Sequence, residues 1–223
     1  MMSKKWIPED WTFKSREVAE RFDEHVREQL PWYDHVTEIA ALVGRHYIHD
    51  NSVVYDIGAS TGNISRALES TIAHTNSTLH AIESSQEMAD LYQGSGELHV
   101  ADCMEFEYED CHFVVVFLLL MFLPYETRIA WLEHVYKKLH RGGAIFLVDK
   151  IETPTGYAGT VMRRLTMDMK LQVGGATSEQ IVEKELSLAG YQRPLVEVEL
   201  ELKFHMQKVF QFGEFAGWII EKK

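Results

Sequence analysis

The sequence predicts an α/β protein with a mostly parallel sheet, helices on both faces of that sheet, and an antiparallel hairpin near the end. Three observations support this prediction. Short apolar segments alternate with amphipathic ones over residues 53–150, which is typical of parallel strands joined by crossover helices. A glycine-rich turn follows the first apolar segment. The tail alternates apolar and polar residues, as a strand with one solvated face does.

Two helices are predicted before the first strand. Apolar residues recur every four positions over residues 15–30, with charged residues between them, and this spacing forms one apolar stripe on a helix. Pro31 is expected to end that helix. A second stripe over 36–47 predicts another helix. We expect residues 1–50 to form a helical arm or lid on a ligand-binding core of residues 51–223, within one domain overall.

Seven strands are predicted in total. The first five are 53–57, 79–82, 97–100, 113–119 and 144–149, and the intervening helices are 63–70, 85–92 and 125–139, the last ended by Gly142 and Gly143. A further helix is predicted over 179–189. Apolar residues alternate with polar ones over 196–204, which predicts a sixth strand. It is expected to form a hairpin with a seventh strand, 215–221, that follows the turn at Gly213.

Composition excludes several classes of protein. The 223-residue chain has a formal net charge of −12, which argues against strong general affinity for nucleic acid. The longest apolar run, 113–124, is about half a membrane span, and no apolar signal core opens the sequence. The two cysteines are too few for a disulfide scaffold. The eleven histidines form no H-x-H or H-x₃-H pair, so no metal site is expected. We expect a cytoplasmic protein without membrane contact.

The most informative segment is the predicted strand and turn at residues 53–62. Gly58 and Gly62 let backbone N–H groups approach a ligand closely, because no Cβ intervenes. Asp56 ends the strand and is well placed for a cationic or hydroxyl group. Glu83 ends the next strand, 21 residues after Gly62, the spacing at which an acid holds ribose hydroxyls in nucleotide-binding units. These residues predict an adenosine-like ligand at the carboxyl edge of the sheet.

The turn lacks phosphate-loop spacing and resembles the D-x-G-x-x-x-G motif of class I S-adenosylmethionine-dependent methyltransferases. This resemblance implies a Rossmann-like fold and S-adenosylmethionine as the cofactor. It places Asp56 near the methionine ammonium, residues 58–62 under the methionine and ribose, Glu83 on the ribose hydroxyls and Asp102 opposite the adenine.

Most of the chain is also similar to carboxy-S-adenosylmethionine synthases, enzymes that supply tRNA wobble-uridine modification. The likeness covers D-W-T-F at 10–13, the P-W-Y ending at Tyr33, residues 55–62, residues 139–150 and F-Q-F-G at 210–213. It implies that Tyr33 lies near the cofactor. The residues expected to contact the cofactor are Tyr33, Asp56, Gly58, Ala59, Ser60, Gly62, Glu83, Ser84, Asp102, Cys103 and Phe117.

Two departures from that family affect the expected ligand. Phe117 stands where the family carries an asparagine, and the segment with its carboxylate-binding arginine has no match before the helix at 179–189. An unpaired carboxylate in an apolar pocket costs several kcal/mol. Plain S-adenosylmethionine is therefore the expected cofactor, and carboxy-S-adenosylmethionine is the alternative.

Three functions stay open on the sequence. The leading one is methyl transfer to a small-molecule or RNA-linked acceptor, which needs positioning more than a strong catalytic residue, so no catalytic residue is assigned. The second is cofactor remodelling by a carboxy-S-adenosylmethionine synthase, with a dianionic α-keto acid such as prephenate as the carboxyl source. The third is a non-catalytic binding partner, with a homodimer as one possible assembly. Trp11, Arg163 and Arg164 are the candidate substrate contacts.

Overall fold

The computed structural model describes residues 12–173 and 175–223, and its centre is a seven-stranded sheet of order β3-β2-β1-β4-β5-β7-β6. The strands are β1 (Val53–Ile57), β2 (Thr78–Glu83), β3 (Glu97–Val100), β4 (Cys111–Phe117), β5 (Leu139–Lys150), β6 (Met206–Phe212) and β7 (Phe215–Glu221). The helices are α1 (Arg16–Gln29), α2 (Tyr33–Tyr47), α3 (Asn63–His74), α4 (Gln86–Ala89), α5 (Tyr125–Lys138), α6 (Tyr157–Gln172), α7 (Ser178–Ser187) and α8 (Glu197–Glu201).

The pairing of the strands confirms the predicted fold class. Strand β1 lies between β2 and β4, and the β3-β2-β1-β4-β5 part of the sheet is parallel throughout. Strand β7 is antiparallel to both β5 and β6. Because all parallel strands run the same way, their carboxyl ends meet at one edge, where Rossmann-like sheets bind ligands.

The prediction of a strand over 196–204 is wrong, because this segment contains helix α8. The alternating apolar residues also contain a helical spacing, because Val196, Leu200 and Phe204 are four residues apart. Leu200 and Phe204 are buried, whereas Val198 and Leu202 are 53% and 79% exposed. The true hairpin partner of β7 is β6, which begins at Met206.

Two predicted helix boundaries also need correction. The helix predicted over 85–92 is the four-residue α4, capped by the Ser85 side chain. Helix α5 ends at Lys138, ahead of Gly142 and Gly143, which lie inside the long strand β5. A Cβ on Gly143 would lie 2.6 Å from the His112 carbonyl oxygen, and the β4–β5 register shifts between Cys111 and Phe113. Close strand approach at a bulge, not helix termination, explains this glycine.

Helices cover both faces of the sheet and leave one edge for the site. One apolar cluster joins one face of the sheet to α5 through Trp131, Leu132 and Val135. A second joins the other face to α2 and α3 through Val36, Ala40 and Leu68. Within the described part of the chain, no helix is long and apolar enough to span a membrane.

Candidate functional site

The turn between β1 and α3 is fixed by left-handed backbone conformations. Gly58, Ser60 and Gly62 have φ values of 77°, 51° and 89°. Gly58 N and Ala59 N donate hydrogen bonds of 2.8 and 3.0 Å to the Ile82 carbonyl, which ties the turn to β2. A Cβ on Gly62 would lie 2.6 Å from Gly94 N. Gly62 is therefore required by both its φ value and its close neighbour.

Glu83 ends β2 with its carboxylate held by two backbone donors. Ser60 N donates to Oε2 at 2.9 Å and Ser85 N donates to Oε1 at 2.8 Å. Burial raises the pKa of this carboxyl, and the backbone hydrogen bonds, including one from Ser84, oppose the rise. Each carboxylate oxygen can accept a second hydrogen bond. The two oxygens are thus oriented to receive a pair of hydroxyl groups.

Asp56 is the penultimate residue of β1 and is buried almost completely, with 1% of its surface exposed. The Ser65 hydroxyl of α3 donates to its Oδ2 at 2.7 Å. Burial raises the pKa of Asp56 to about 6, although the bond from Ser65 acts in the opposite direction. A cation beside this carboxylate would lower the pKa again, because it favours the charged form.

Asp102 and Cys103 follow β3 at the same edge of the sheet. Asp102 is exposed and accepts a 2.8 Å hydrogen bond from Met104 N. The Cys103 carbonyl accepts hydrogen bonds from Tyr108 OH and Trp131 Nε1 at 2.8 and 2.9 Å. Burial, with Asp102 adding to it, raises the pKa of the Cys103 thiol to about 12, so this cysteine is not a thiolate nucleophile at neutral pH. The two hydrogen bonds to its carbonyl instead hold the loop that follows β3 in place.

A cavity of about 580 Å³ brings most of the predicted contacts together. Its lining includes Tyr33, Asp56, Gly58, Ala59, Ser60, Glu83, Ser84, Asp102, Cys103 and Phe117. Gly62 shapes the turn behind this lining. The Tyr33 ring meets the Phe117 ring edge-on, with centroids 5.4 Å apart, so Phe117 is part of an apolar wall.

Two of the three predicted substrate contacts, Arg163 and Arg164, lie outside the cavity. Arg163 and Arg164 are on the exposed side of α6, and Arg163 Nε is 3.8 Å from Glu214 Oε1. Neither side chain lines the cavity. Trp11 is outside the described residues.

Three lysines that were not predicted from the sequence also line the cavity. Lys150 ends β5, Lys170 is on α6 and Lys184 is on α7. In the sequence, nothing marks Lys150 except its place in segment 139–150. The other two lysines lie on separate helices, and only the tertiary packing of α6 and α7 brings them together. These three residues are called the lysine cluster below.

Among the described residues, the carboxylate of Glu185 lies between two lysines of the cluster. Glu185 lies 3.1 Å from Lys170 Nζ and 3.7 Å from Lys150 Nζ. Burial, with Lys170 and Lys150 nearby, lowers the pKa of Lys184 to about 7, and its Nζ is 2.5 Å from His25 Nε2. Burial alone would raise the pKa of Glu185, but Lys150 and Lys170 lower it overall. The lysine cluster therefore favours an anion in this part of the cavity.

Helix α1 covers the cavity and is joined to the glycine turn by a polar network. Asp23 Oδ1 accepts hydrogen bonds of 2.7 Å from both Thr61 Oγ1 and Asn63 Nδ2. Arg27 donates to Asn63 Oδ1 at 3.0 Å. Ahead of α1, the Phe13 carbonyl accepts a 2.7 Å hydrogen bond from Ser85 Oγ. Helix α1 is thus attached to the glycine turn through Asp23, and the segment that precedes it is attached to Ser85.

Replacing Asp23 with alanine should loosen this cover. We expect a loss of about 1–2 kcal/mol in free energy of unfolding, since two hydrogen bonds are removed. Amide hydrogen exchange in α1 should become faster than in the parent, with smaller changes in the other elements. The matched control is Glu20→Ala, which removes only the exposed Arg16–Glu20 pair of the same helix and should cost less than about 0.5 kcal/mol. Equal exchange in the two variants would contradict the attachment.

Comparison with known proteins agrees with the fold and identifies the chain as a class I S-adenosylmethionine-dependent methyltransferase. The family model described as "Methyltransferase domain" matches residues 54–143. A plantazolicin methyltransferase, BpumL, solved in complex with a monoazolic desmethylPZN analog and S-adenosylhomocysteine, has a similar fold, with a TM-score of 0.62 over 93% of this chain and 90% of that one at 13% identity.

Two curated relatives assign the chain to one family within this class. The carboxy-S-adenosyl-L-methionine synthase of Staphylococcus epidermidis is 31% identical over 193 residues, which are 84% of each chain. The enzyme of that name from Klebsiella pneumoniae is 27% identical over 188 residues, 80% of this chain and 75% of the relative. The chain therefore belongs to the carboxy-S-adenosyl-L-methionine synthase family of class I S-adenosylmethionine-dependent methyltransferases.

Proposed function

We propose that this enzyme uses S-adenosylmethionine to transfer a one-carbon group to a small anionic acceptor. The observation that carries the proposal is the continuity of one cavity from the acids at the sheet edge to the lysine cluster. The acids suit the cofactor, and the lysines suit a carboxylate or phosphate on the acceptor. The net charge of −12 and the cover formed by α1 favour a small molecule over an RNA-linked acceptor.

The chain's own residues explain how the cofactor is held. Glu83, oriented by Ser60 N and Ser85 N, accepts the ribose hydroxyls. Asp56 receives the methionine ammonium, which compensates its burial. Asp102 and the Cys103 loop border the adenine side. When bound, the cofactor supplies an activated methyl group on a sulfonium.

The acceptor is positioned by the lysine cluster. Lysines 150 and 170 bind its anionic group, and Lys184, whose pKa is lowered to about 7 mainly by burial, can hold or release a proton near neutral pH. The apolar wall of Tyr33 and Phe117 and the cover formed by helix α1 exclude water. Holding both reactants in line can supply about 7–11 kcal/mol of the barrier reduction.

Carboxy-S-adenosylmethionine synthesis is the second candidate, and two observations favour it. The curated relatives carry that name, and the lysine cluster offers cations in a cavity where the family's arginine segment has no match. In this case the anion is an α-keto acid dianion such as prephenate, and carboxy-S-adenosylmethionine is the product held in the cavity.

Mass spectrometry of the purified, undialysed protein tests the proposal. Carried-over S-adenosylmethionine or S-adenosylhomocysteine supports methyl transfer, and a ligand one carboxylate heavier supports the synthase reaction. Incubation with S-adenosylmethionine and a panel of small acids, with prephenate among them, then separates enzyme from binding partner. Cofactor binding without turnover of any anionic acceptor would favour a non-catalytic partner.

Cofactor affinity should depend on pH through Asp56. Burial raises the pKa of Asp56 to about 6, and the bound ammonium favours the charged form, so binding below that pH must release a proton. Affinity is therefore expected to be constant above about pH 6 and to fall about tenfold per pH unit below it. Titration calorimetry at pH 7 and pH 5 checks this. Asp56→Asn should bind more weakly and lose the slope; an unchanged slope would contradict the assignment.

A further inference from the structure

A group of three potential metal ligands lies on the β2–β3 side of the sheet, outside the cavity. It consists of His80, Glu97 and His99, whose ligand atoms all lie within 4.8 Å of one another. None of the three lines the cofactor cavity. Sequence spacing did not indicate the group, because His80 and His99 are on different strands.

The parallel register of β2 and β3 creates the group. His80 pairs with Glu97, and the next residue but one on each strand pairs as Ile82 with His99. Because side chains alternate across a strand, His80, Glu97 and His99 project from the same face of the sheet. Two adjacent strands thus present two imidazoles and one carboxylate side by side.

The distances suit a tetrahedral ion. His80 Nδ1 is 3.0 Å from His99 Nε2 and 3.6 Å from Glu97 Oε2. Ligands about 2.1 Å from a zinc ion at tetrahedral angles lie about 3.3–3.4 Å apart. An ion can therefore be accommodated by shifts of a few tenths of an ångström in these two distances.

Aromatic neighbours orient the two imidazole rings. The His80 ring stacks on Tyr55, with centroids 5.3 Å apart and an interplanar angle of 29°. The His99 ring contacts Phe106 at 5.2 Å. Both histidines are half-buried, whereas Glu97 is exposed. The rings are thus held in place before binding, and the carboxylate can close on the ion from solvent.

We propose that His80 Nδ1, His99 Nε2 and the Glu97 carboxylate bind a divalent transition-metal ion such as Zn²⁺. Imidazole nitrogen with one carboxylate oxygen suits Zn²⁺ and its neighbours Ni²⁺ and Cu²⁺, but not Mg²⁺ or Ca²⁺. Water completes the coordination. The ion links the edge strand β3 to β2 and steadies the strand that leads to Asp102. The site is independent of the proposed one-carbon transfer.

Calorimetric titration of untagged protein with Zn²⁺, with Mg²⁺ as the comparison ion, tests this site. We expect one Zn²⁺ per chain, no Mg²⁺ binding, and slower amide hydrogen exchange in β3 when Zn²⁺ is present. His99→Asn and Glu97→Gln should each weaken Zn²⁺ binding at least about tenfold, and His99→Asn should abolish the exchange effect.

The matched control is His140→Asn. His140 and His112 form another close histidine pair, with ring centroids 4.4 Å apart, and that pair is not part of the three-ligand group. This variant should bind Zn²⁺ as the parent does. Undiminished Zn²⁺ binding by both His99→Asn and Glu97→Gln, or binding lost equally in His140→Asn, would overturn the proposal and leave His80 and His99 as a hydrogen-bonded pair only.

Discussion

Replacing Glu83 with alanine should raise the dissociation constant for S-adenosylmethionine at least about 100-fold. The carboxylate is proposed to accept both ribose hydroxyls, and a hydrogen bond to a charged group contributes about 1.5–3 kcal/mol. Two such bonds give about 3 kcal/mol or more, and every 1.4 kcal/mol is a factor of ten in affinity. Titration calorimetry measures the loss directly.

The Glu83 carboxylate also accepts hydrogen bonds from Ser60 N and Ser85 N, so Glu83→Ala can weaken binding through lost ligand contacts or through a disturbed turn. Glu83→Gln keeps an oxygen for one of these donors and should fold like the parent while still losing at least about tenfold in affinity. Glu69→Ala removes an exposed acid on α3 and should leave binding unchanged. Cofactor binding by folded Glu83→Ala at parental strength would refute the site assignment.

The second large effect is expected at the lysine cluster. Lys170→Met keeps the aliphatic stem but removes the charge, so the Michaelis constant for an anionic acceptor should rise about 10- to 150-fold, equivalent to one charge-assisted hydrogen bond of about 1.5–3 kcal/mol. Cofactor affinity should change less than about threefold, because the sheet-edge acids hold that ligand. Steady-state kinetics with the anionic substrate found by screening measures the Michaelis constant, and titration calorimetry measures the cofactor affinity.

Helix α6 provides a control for Lys170→Met. Arg164 is exposed on the same helix and does not line the cavity. Arg164→Ala therefore changes the net charge by the same amount without changing the proposed acceptor contact. Equal rises in the Michaelis constant for both variants would indicate long-range electrostatics and contradict a lysine subsite. Thermal unfolding of both variants establishes that the fold is retained.

The sheet and its turn could be predicted from sequence because their signals are local. The β1 turn needs positive φ at Gly58 and Gly62, and Asp56 and Glu83 occupy strand ends that periodicity locates. The alternation over 196–204 misled the prediction, because it contained a helical stripe as well, and only the packing of Leu200 and Phe204 decides between the two.

Contacts made by distant segments could not be predicted in this way. The lysine cluster joins β5, α6 and α7, and His80 meets His99 only through the β2–β3 register. The sequence offered Arg163 and Arg164 as candidate substrate contacts. A charged residue on a helix is ordinarily solvated, and the structure places both on the exposed side of α6. Burial of Lys170 instead depends on how α6 packs on the core.

The interior position of β7 has a consequence for folding. Lys150 pairs with Phe215 and Ala144 with Glu221, so the partner of β5 arrives 65 to 77 residues later in the chain. Until then β5 exposes an apolar edge able to pair with other chains. Such distant pairing is slow to form. During synthesis, the chain is therefore most prone to aggregation and most dependent on chaperones before β7 has emerged from the ribosome.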